Sequence, residues 1–419
     1  MREPKSIFDN IDWITVFIYL ALIFMGWISI YASAYNEEHR SILDMSQKYG
    51  KQLIWIGTAI VIAIALLIID AKFYPAFAYV LYGIVILLLL AVLVMGKKTA
   101  GAQSWFEIGE FKIQPSEFAK FATNLALAKF LSTLNIRFED LRTKLISYAI
   151  LAVPLLFILI QNDTGSAMVF LAFVLVLYRE GLSENILIFG FLSIILFIMA
   201  LLINTFVLMG VLVFISILIF LMLRRNKKNM IKIIAFLVLS ISFTTSVDYI
   251  FENVLIAHQK DRVNVLLGKE VDPKGTGYNV NQSKIAIGSG GFWGKGFLQG
   301  TQTKYDFVPE QSTDFIFCTI GQEWGFFGSS IVIFLFLGLF MRLLFIAERQ
   351  RSTFSRIYAY GVVSILFFHF AVNIGMTIGL VPVIGIPLPF FSYGGSSLWS
   401  FTILLFILVK LDSNRLILI

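Results

Sequence analysis

The chain has 419 residues, of which 58% are hydrophobic and only 14% are charged. A soluble globular protein has roughly a quarter of its residues charged, so this composition excludes that class and indicates a protein that crosses a membrane many times. The net charge of +7 does not predict nucleic-acid binding, because lysine and arginine also gather in the cytoplasmic loops of membrane proteins.

Twelve apolar segments have about the 20 residues that a membrane-spanning helix needs. We therefore predict an all-α polytopic membrane protein with about twelve transmembrane helices. The predicted spans are residues 13–34, 52–70, 74–95, 115–132, 144–161, 164–179, 185–204, 205–223, 231–250, 314–342, 356–381 and 388–410. The run from Ile186 to Leu223 is uncharged and about twice one span in length, so we divide it near Asn204 into a helical hairpin.

Basic residues predict how the spans are oriented, because cytoplasmic loops are enriched in them. If the N-terminus is cytoplasmic, twelve spans place three basic clusters in the cytoplasm. They are Arg137, Arg142 and Lys144; Arg224, Arg225, Lys227, Lys228 and Lys232; and Arg349, Arg351 and Arg356. Both termini are then cytoplasmic, and residues 1–419 are expected to form one integral membrane domain in which 251–313 is a large extracytoplasmic loop.

The fourth predicted span carries ionisable side chains near its outward end. Pro115 suits the first helical position, and Glu117 and Lys120 lie three residues apart, on one helix face. A structural ion pair inside the bundle explains this spacing. A role with substrate or protons explains it equally, because ionisable groups within spans are costly and are often functional.

Two further carboxylates begin predicted helices on the outward side. Asp163 precedes the span 164–179, and Asp314 follows Ser312 and Thr313, either of which would be a good N-cap. Asp314 is then predicted in the first helical turn, where an acid complements the helix dipole. The functional alternative is a carboxylate at the membrane surface that takes a proton or binds a metal.

Two outward segments are rich in residues that break helices. Residues 288–300 contain six glycines, and the stretch 382–397 contains three prolines and three glycines. The second stretch predicts non-helical backbone, which is tolerated at membrane depth only where protein or a cavity covers it. His258 and His369 lack metal-ligand spacing, so no zinc site is predicted.

These motifs together resemble the SEDS family (shape, elongation, division and sporulation) over most of the chain. The motifs are QPSEFAK at 114–120, PEQSTDFIF at 309–317, NIGM at 373–376 and GIPLPFFSYGGSS at 385–397. The QSKIAIGSGG run at 282–291 is similar to the branch of the family that serves elongation and rod shape.

The resemblance implies a peptidoglycan glycosyltransferase of the cytoplasmic membrane that polymerises lipid II into glycan strands on the outer face and releases undecaprenyl diphosphate. It identifies Asp314 with the family's essential aspartate and Trp105 with its outer-loop tryptophan. We expect Asp314, Glu117 and Lys120 to be catalytic. The expected substrate-binding residues are Trp105, Asp163, Arg262, Lys284, Glu310 and Ser392.

Developing diphosphate charge needs cations, either a divalent metal or lysine and arginine side chains. A divalent cation, Mg²⁺ or Mn²⁺, is the expected cofactor, with Asp314 as its candidate ligand. The implied partners are lipid II and the nascent glycan, a class B penicillin-binding protein that supplies the transpeptidase, and other membrane proteins of the elongation complex. No nucleic-acid partner is expected.

The sequence leaves two other functions open. A lipid II flippase could use the same broken helices and buried charges, and a scaffold without enzymatic activity could dock a penicillin-binding protein. The chain also departs from the family at three places. The family usually has ten spans, so the hairpin at 185–223 is surplus; Ser104 stands where arginine is common, and Asn162 where proline is usual.

Overall fold

The computed structural model describes residues 10–35, 41–99, 101–109, 111–133, 138–222, 226–254, 260, 264, 276–304 and 307–416. The chain divides into two compact units, Met1–Leu182 with Asn279–Ile419, and Ser183–Tyr278. One membrane domain over the whole chain stays a prediction, and so does the outward position of residues 251–313.

The elements before residue 183 are mostly long helices. They are α1 (Trp13–Ala34), α2 (Lys48–Ile68), α3 (Phe73–Met95), the strands β1 (Lys97–Thr99), β2 (Ala102–Ile108) and β3 (Phe111–Ile113), α4 (Pro115–Leu131), α5 (Leu141–Ile160), α6 (Thr164–Val169) and α7 (Phe173–Arg179). A short 3-10 turn at Phe170–Ala172 joins α6 to α7.

The elements that the structure describes after residue 183 are all helical. They are α8 (Glu184–Leu202), α9 (Thr205–Met222), α10 (Lys227–Asn253), α11 (Thr276–Gly290), α12 (Thr301–Lys304), α13 (Ile316–Glu323), α14 (Gly325–Glu348), α15 (Thr353–Thr377) and α16 (Gly395–Ser413). Helices α8, α9 and α10 share a small core of Ala200, Leu208 and Val247.

Within the described residues, ten helices are long and apolar enough to cross a membrane. The other two predicted spans correspond to α4, which has 17 residues, and to the run Thr164–Arg179, which is shorter than a full span. The all-α polytopic class is therefore confirmed, and the count of twelve spans stays a prediction. The predicted hairpin at 185–223 consists of α8 and α9.

Residues 97–113, which lie between the predicted spans 74–95 and 115–132, contain a small antiparallel sheet in the order β1-β2-β3. Trp105 pairs with Lys97, and Glu107 pairs with Lys112. Strands of three to seven residues carry too little alternation to be distinguished from a loop by pattern alone.

The core of the first unit lies around α4, α15 and α16. Helix α4 packs against α3, α5, α15 and α16, so nearly all of its surface is covered by protein. Glu117 and Lys120 on α4 are therefore covered by protein, whereas Lys129 in its last turn is half-buried.

Two predicted spans are broken by special backbone. The span 314–342 divides into α13 and α14 because Gly325 takes φ +63°, and a side chain there would meet the backbone nitrogen of Gly294 at 2.3 Å. The predicted start of the last span at residue 388 was wrong, since α16 begins at Gly395 and the non-helical stretch before it includes residues 382–394. We call residues 382–394 the proline segment.

Candidate functional site

Glu117 and Lys120 form a buried ion pair at the start of α4. Pro115 occupies the first turn of the helix, as predicted. Lys120 Nζ lies 2.7 Å from Glu117 Oε2, and the two side chains are only 1% and 4% exposed. The spacing of three residues puts both on one face, so the predicted pair is present and is shielded from solvent.

Two aromatic rings complete the surroundings of Lys120. His369 of α15 lies with Nε2 3.0 Å from Lys120 Nζ. The ammonium also lies 4.7 Å from the centre of the Phe401 ring, and the His369 ring meets Phe401 edge-on. The sequence shows of His369 only that it lacks metal-ligand spacing, so this contact was not predicted.

Asp163 is the N-cap of α6 and is held by the QPSEFAK motif. Its carboxylate accepts hydrogen bonds from Ser166 N at 3.0 Å and Ser166 Oγ at 2.8 Å. Gln114 Nε2 donates to the same group at 2.7 Å, and Ser116 Oγ donates at 3.3 Å. The carboxylate therefore has a structural role, because these hydrogen bonds join the start of α4 to the start of α6.

Asn162, which precedes that carboxylate, takes φ +59°. Proline is confined to φ near −65°, whereas asparagine tolerates the left-handed region. The family's usual proline could therefore not adopt the turn that this chain has at residue 162.

Asp314 is half-buried in a turn before α13, and its predicted place in the first helical turn was wrong. The helix begins at Ile316, and Phe315 is the N-cap without a side-chain cap bond. The hydroxyls of the two predicted caps serve other contacts: Ser312 Oγ accepts from Lys48 Nζ at 2.9 Å, and Thr313 Oγ1 donates to Glu310 Oε2 at 2.9 Å.

The backbone around Asp314 is fastened to the proline segment and to α15. Ser392 Oγ donates to Thr313 O at 2.6 Å, and Tyr393 N donates to Ser312 O at 2.9 Å. Asn373 Nδ2 donates to Asp314 O at 2.8 Å. The Ser392 hydroxyl also accepts from Leu388 N, so Ser392 supports the backbone here.

Four consecutive residues of the proline segment, 384–387, lie next to Asp314 or next to residues that neighbour Asp163 and the Glu117–Lys120 pair. A side chain on Gly165, two residues after Asp163, would meet Ile384 O at 2.6 Å, and one on Gly385 would meet Asp314 Oδ2 at 3.3 Å. The next two carbonyl oxygens are also in contact with side chains. Asn373 Nδ2 donates to Ile386 O at 2.8 Å, and His369 Nδ1 lies 3.2 Å from Pro387 O.

The strand residue Trp105 belongs to a sheet that is anchored beside this site. Gln103 N donates to Gln161 O at 2.9 Å, next to the turn that carries Asp163. Ser396 Oγ, at the start of α16, donates to Lys112 O at 2.8 Å. The sheet therefore joins the Asp163 turn to the end of the proline segment.

An ion-pair group stabilises the same sheet. Lys97 Nζ and Lys112 Nζ lie 2.5 Å and 3.0 Å from the carboxylate of Glu107. Hydrogen bonds from Lys97 and then Lys112 lower the pKa of Glu107. The carboxylate is thus held ionised between two strands.

Three other residues were predicted to bind substrate: Glu310, Lys284 and Arg262. Glu310 is exposed and takes φ +56°. Lys284 is exposed on α11 and lies against the end of α15, where a side chain on Gly379 would overlap its Cε at 2.2 Å. Arg262 lies outside the described residues.

The part of the chain that the structure describes holds no group of three or more His, Cys, Asp or Glu side chains suited to a metal. The Asp314 carboxylate without such a group does not resemble a zinc or calcium site, which is built from several protein ligands. It does fit Mg²⁺ or Mn²⁺, because such ions are often held by one or two carboxylates together with substrate phosphates.

The fold and the site define a polytopic membrane protein in which buried charges and broken helices surround one non-helical segment. The chain belongs to the FtsW/RodA/SpoVE family of cell cycle proteins, whose model matches residues 12–209 and 192–416. This finding confirms the SEDS resemblance.

Named relatives match the chain over nearly its whole length. It is 33% identical to the peptidoglycan glycosyltransferase RodA of Treponema pallidum, over 97% of this chain and 99% of the relative. It is 35% identical to the peptidoglycan glycosyltransferase MrdB of Escherichia coli K12, over 94% of this chain and 92% of the relative.

Solved structures match the fold as well. A chain from a peptidoglycan synthase complex that coordinates polymerization and crosslinking superposes with a TM-score of 0.70 at 27% identity, over 97% of this chain and 98% of that chain. The rod shape determining protein RodA of Thermus thermophilus superposes with a TM-score of 0.63 at 23% identity, over 97% of each chain. The second match shows the fold alone.

Proposed function

We infer that this chain is a peptidoglycan glycosyltransferase of a membrane. The observation that carries this conclusion is its identity of 33% and 35% to relatives of that activity over more than nine-tenths of their length. The convergence of ionisable residues around the proline segment supports it, because glycosyl transfer needs both a base and stabilisation of leaving-group charge.

The substrate that we propose is lipid II, which the enzyme joins to a growing glycan strand for elongation and rod shape. The acceptor hydroxyl loses a proton while the anomeric carbon loses its diphosphate. The lipid tail stays in the bilayer, and undecaprenyl diphosphate leaves. Exposed Lys284, beside the end of α15, suits contact with the diphosphate, and Trp105 and Glu310 remain proposed substrate contacts.

Asp314 is the residue that we propose as general base or as ligand of the cation. It is half-buried, so part of it is accessible. Asn373 holds its backbone carbonyl, and Ser392 holds the carbonyl of the preceding residue, Thr313. A carboxylate held in this way can accept the proton of a bound hydroxyl. A divalent cation, held by Asp314, would supply electrostatic stabilisation of diphosphate charge.

The pair of Glu117 and Lys120 acts at this site without touching substrate. Both side chains are nearly inaccessible, so we assign them the orientation of neighbouring groups rather than proton transfer with the sugar. Asp163 has the same kind of role, because its four donors come from Gln114, Ser116 and Ser166. It fixes the start of α6, where Gly165 packs against the carbonyl oxygen of Ile384.

The proposed setting is the cytoplasmic membrane, with both termini in the cytoplasm and the site on the outer face. The proposed partner is a class B penicillin-binding protein that crosslinks the glycan, together with other membrane proteins of the elongation complex. The solved synthase complex that contains a chain of this fold supports an assembly of polymerase and crosslinking enzyme.

The test is polymerisation of purified lipid II by the detergent-solubilised chain, with its penicillin-binding partner present and with Mg²⁺, Mn²⁺ or a chelator. We expect Asp314→Asn, which preserves shape but removes the charge, to lower kcat by at least about 10²-fold. Asp70→Asn is the matched control, because it makes the same exchange at an exposed aspartate between α2 and α3, away from the candidate site.

Undiminished polymer from a folded, partner-bound Asp314→Asn chain would discard the catalytic role of Asp314. Unchanged activity in the chelator would discard the cation. If the wild-type complex made no glycan but exchanged lipid II between the leaflets of a vesicle, the flippase function would replace the polymerase.

A further inference from the structure

We propose that His369 is a positioning residue, which couples the buried Glu117–Lys120 pair to the proline segment that lies against Asp314. The inference rests on the proposed function, since it assigns a role toward the same reaction centre. His369 is fully buried, so it acts through its neighbours rather than on substrate.

The hydrogen-bond partners of His369 determine its tautomer. Nδ1 lies 3.2 Å from Pro387 O, and a carbonyl oxygen can only accept, so Nδ1 carries the proton. Nε2 lies 3.0 Å from Lys120 Nζ, and an ammonium can only donate, so Nε2 supplies a lone pair. The imidazole is therefore neutral and has one partner at each nitrogen.

Lys120 needs the acceptor that His369 provides. Its ammonium has three donor hydrogens, and a side chain that is 1% exposed has no bulk water to satisfy them. Glu117 Oε2 accepts one at 2.7 Å, and the Phe401 face lies 4.7 Å away. Without the imidazole, a buried donor would be left unsatisfied, and the ammonium would move to find another acceptor.

The other nitrogen of His369, Nδ1, connects the Glu117–Lys120 pair to the segment that lies against Asp314. His369 and Asn373 are four residues apart on α15, so they lie on one face of the helix. Their side chains meet consecutive carbonyls, of Pro387 and Ile386, and Asn373 also holds Asp314 O. A ring that lost its bond to Pro387 would release the segment two residues from Gly385, the residue that faces the Asp314 carboxylate.

A buried histidine that only fills space would not need a donor at one nitrogen and an acceptor at the other. His369→Gln can supply both functions, because an amide has an NH₂ donor and a carbonyl acceptor. His369→Phe supplies neither but keeps an aromatic ring in the same volume. The two variants therefore separate hydrogen bonding from packing.

The experiment measures kcat and KM for lipid II polymerisation by both variants in complex with the partner. We expect His369→Phe to lose about 10²-fold in kcat with KM changed little, the size of effect that a misplacement of about 1 Å produces. We expect His369→Gln to recover most of that loss. Tyr358→Phe is the control, because it deletes another buried hydrogen bond from α15, to Leu404 O, far from the proline segment.

A spectroscopic readout tests the tautomer directly. The chain has only three histidines, so ¹⁵N-histidine labelling of a variant with His39 and His258 replaced by glutamine leaves one imidazole. We expect one protonated nitrogen, assigned as Nδ1, and one unprotonated Nε2 in the folded protein at neutral pH.

Four outcomes decide the inference. Loss in His369→Phe, with rescue in His369→Gln and an Nδ1-protonated ring, supports it. A folded His369→Phe chain with wild-type kcat overturns it, and so does an Nε2-protonated ring. Equal loss in both variants also overturns it, because the hydrogen bonds would then not be the cause. Full activity in Asp314→Asn would instead refute the catalytic proposal, whatever the His369 variants do.

Discussion

Gly165 is a position where the addition of a single methyl group should disturb the candidate site. A Cβ there would lie 2.6 Å from Ile384 O, whereas real Cβ atoms essentially never come within 3.0 Å of another atom. Gly165→Ala must therefore move the α6 start and the proline segment apart by at least about 0.4 Å. No flexible side chain can absorb this displacement, because the contacted atom is a backbone carbonyl.

The displacement should appear in catalysis more than in folding. Ile384 precedes Gly385, which lies against the Asp314 carboxylate, so the shift acts directly on the proposed base. If about 1 Å costs 10²-fold in rate, then 0.4 Å costs roughly sixfold on a logarithmic scale. We expect Gly165→Ala to lower kcat for lipid II polymerisation by roughly sixfold and to leave KM within about twofold.

The matched control is Gly338→Ala, on α14. A side chain at Gly338 would meet nothing within 4 Å, and both variants replace a helical glycine by the best helix former, which alone favours folding by roughly 0.5–1 kcal/mol. Wild-type kcat in a folded Gly165→Ala chain would refute the reasoning that the proline segment positions Asp314. An equal loss in Gly338→Ala would show that the assay reports folding.

Three further outcomes follow from the described contacts. Asp12→Ala removes the N-cap of α1 and leaves Arg342 without its buried partner, so we expect about 3 kcal/mol less unfolding free energy, measured by denaturant titration in detergent. Lys120→Met leaves Glu117 buried without a counter-charge, so we expect about 3–5 kcal/mol of destabilisation, most of which Glu117→Gln should restore without restoring polymerisation. The lowered pKa of Glu107 means that its contribution to the small sheet is present above the ordinary value of 4.5 and is lost as pH falls through the lower folded value. The protection factors of the β2 amides, which are exchange rates corrected for the intrinsic pH dependence of amide exchange, should therefore fall below pH 4.5 in the wild type and not in Glu107→Gln. Unchanged stability in the first two variants, or a pH-independent wild-type sheet, would contradict these expectations.

The parts of the fold that depend on local periodicity could be predicted from the sequence. Apolar runs located all twelve segments, each of which contains helix, and the spacing of Glu117 and Lys120 placed them on one face because a helix repeats every 3.6 residues. Pro115 at the first turn of α4 and Asp163 as N-cap of α6 also follow from local chemistry.

The parts that depend on contacts distant in sequence could not be predicted. Ser312 and Thr313 are good N-caps by residue type, but Lys48 and Glu310 engage their hydroxyls. His369 has no local signal at all, because its partners lie 249 and 18 residues away in sequence. The NIGM run marked Asn373 as characteristic without indicating which carbonyls it holds.

The proline segment also makes the length of the chain at residues 384–387 more important than the identity of most of its side chains. Ile384, Ile386 and Pro387 meet their neighbours through carbonyl oxygens, which every amino acid possesses. An exchange of one aliphatic residue for another leaves those oxygens in sequence. Deletion or insertion of a single residue would shift these oxygens relative to α6, α15 and the Asp314 turn at once. This stretch should therefore tolerate substitutions far better than changes in its length.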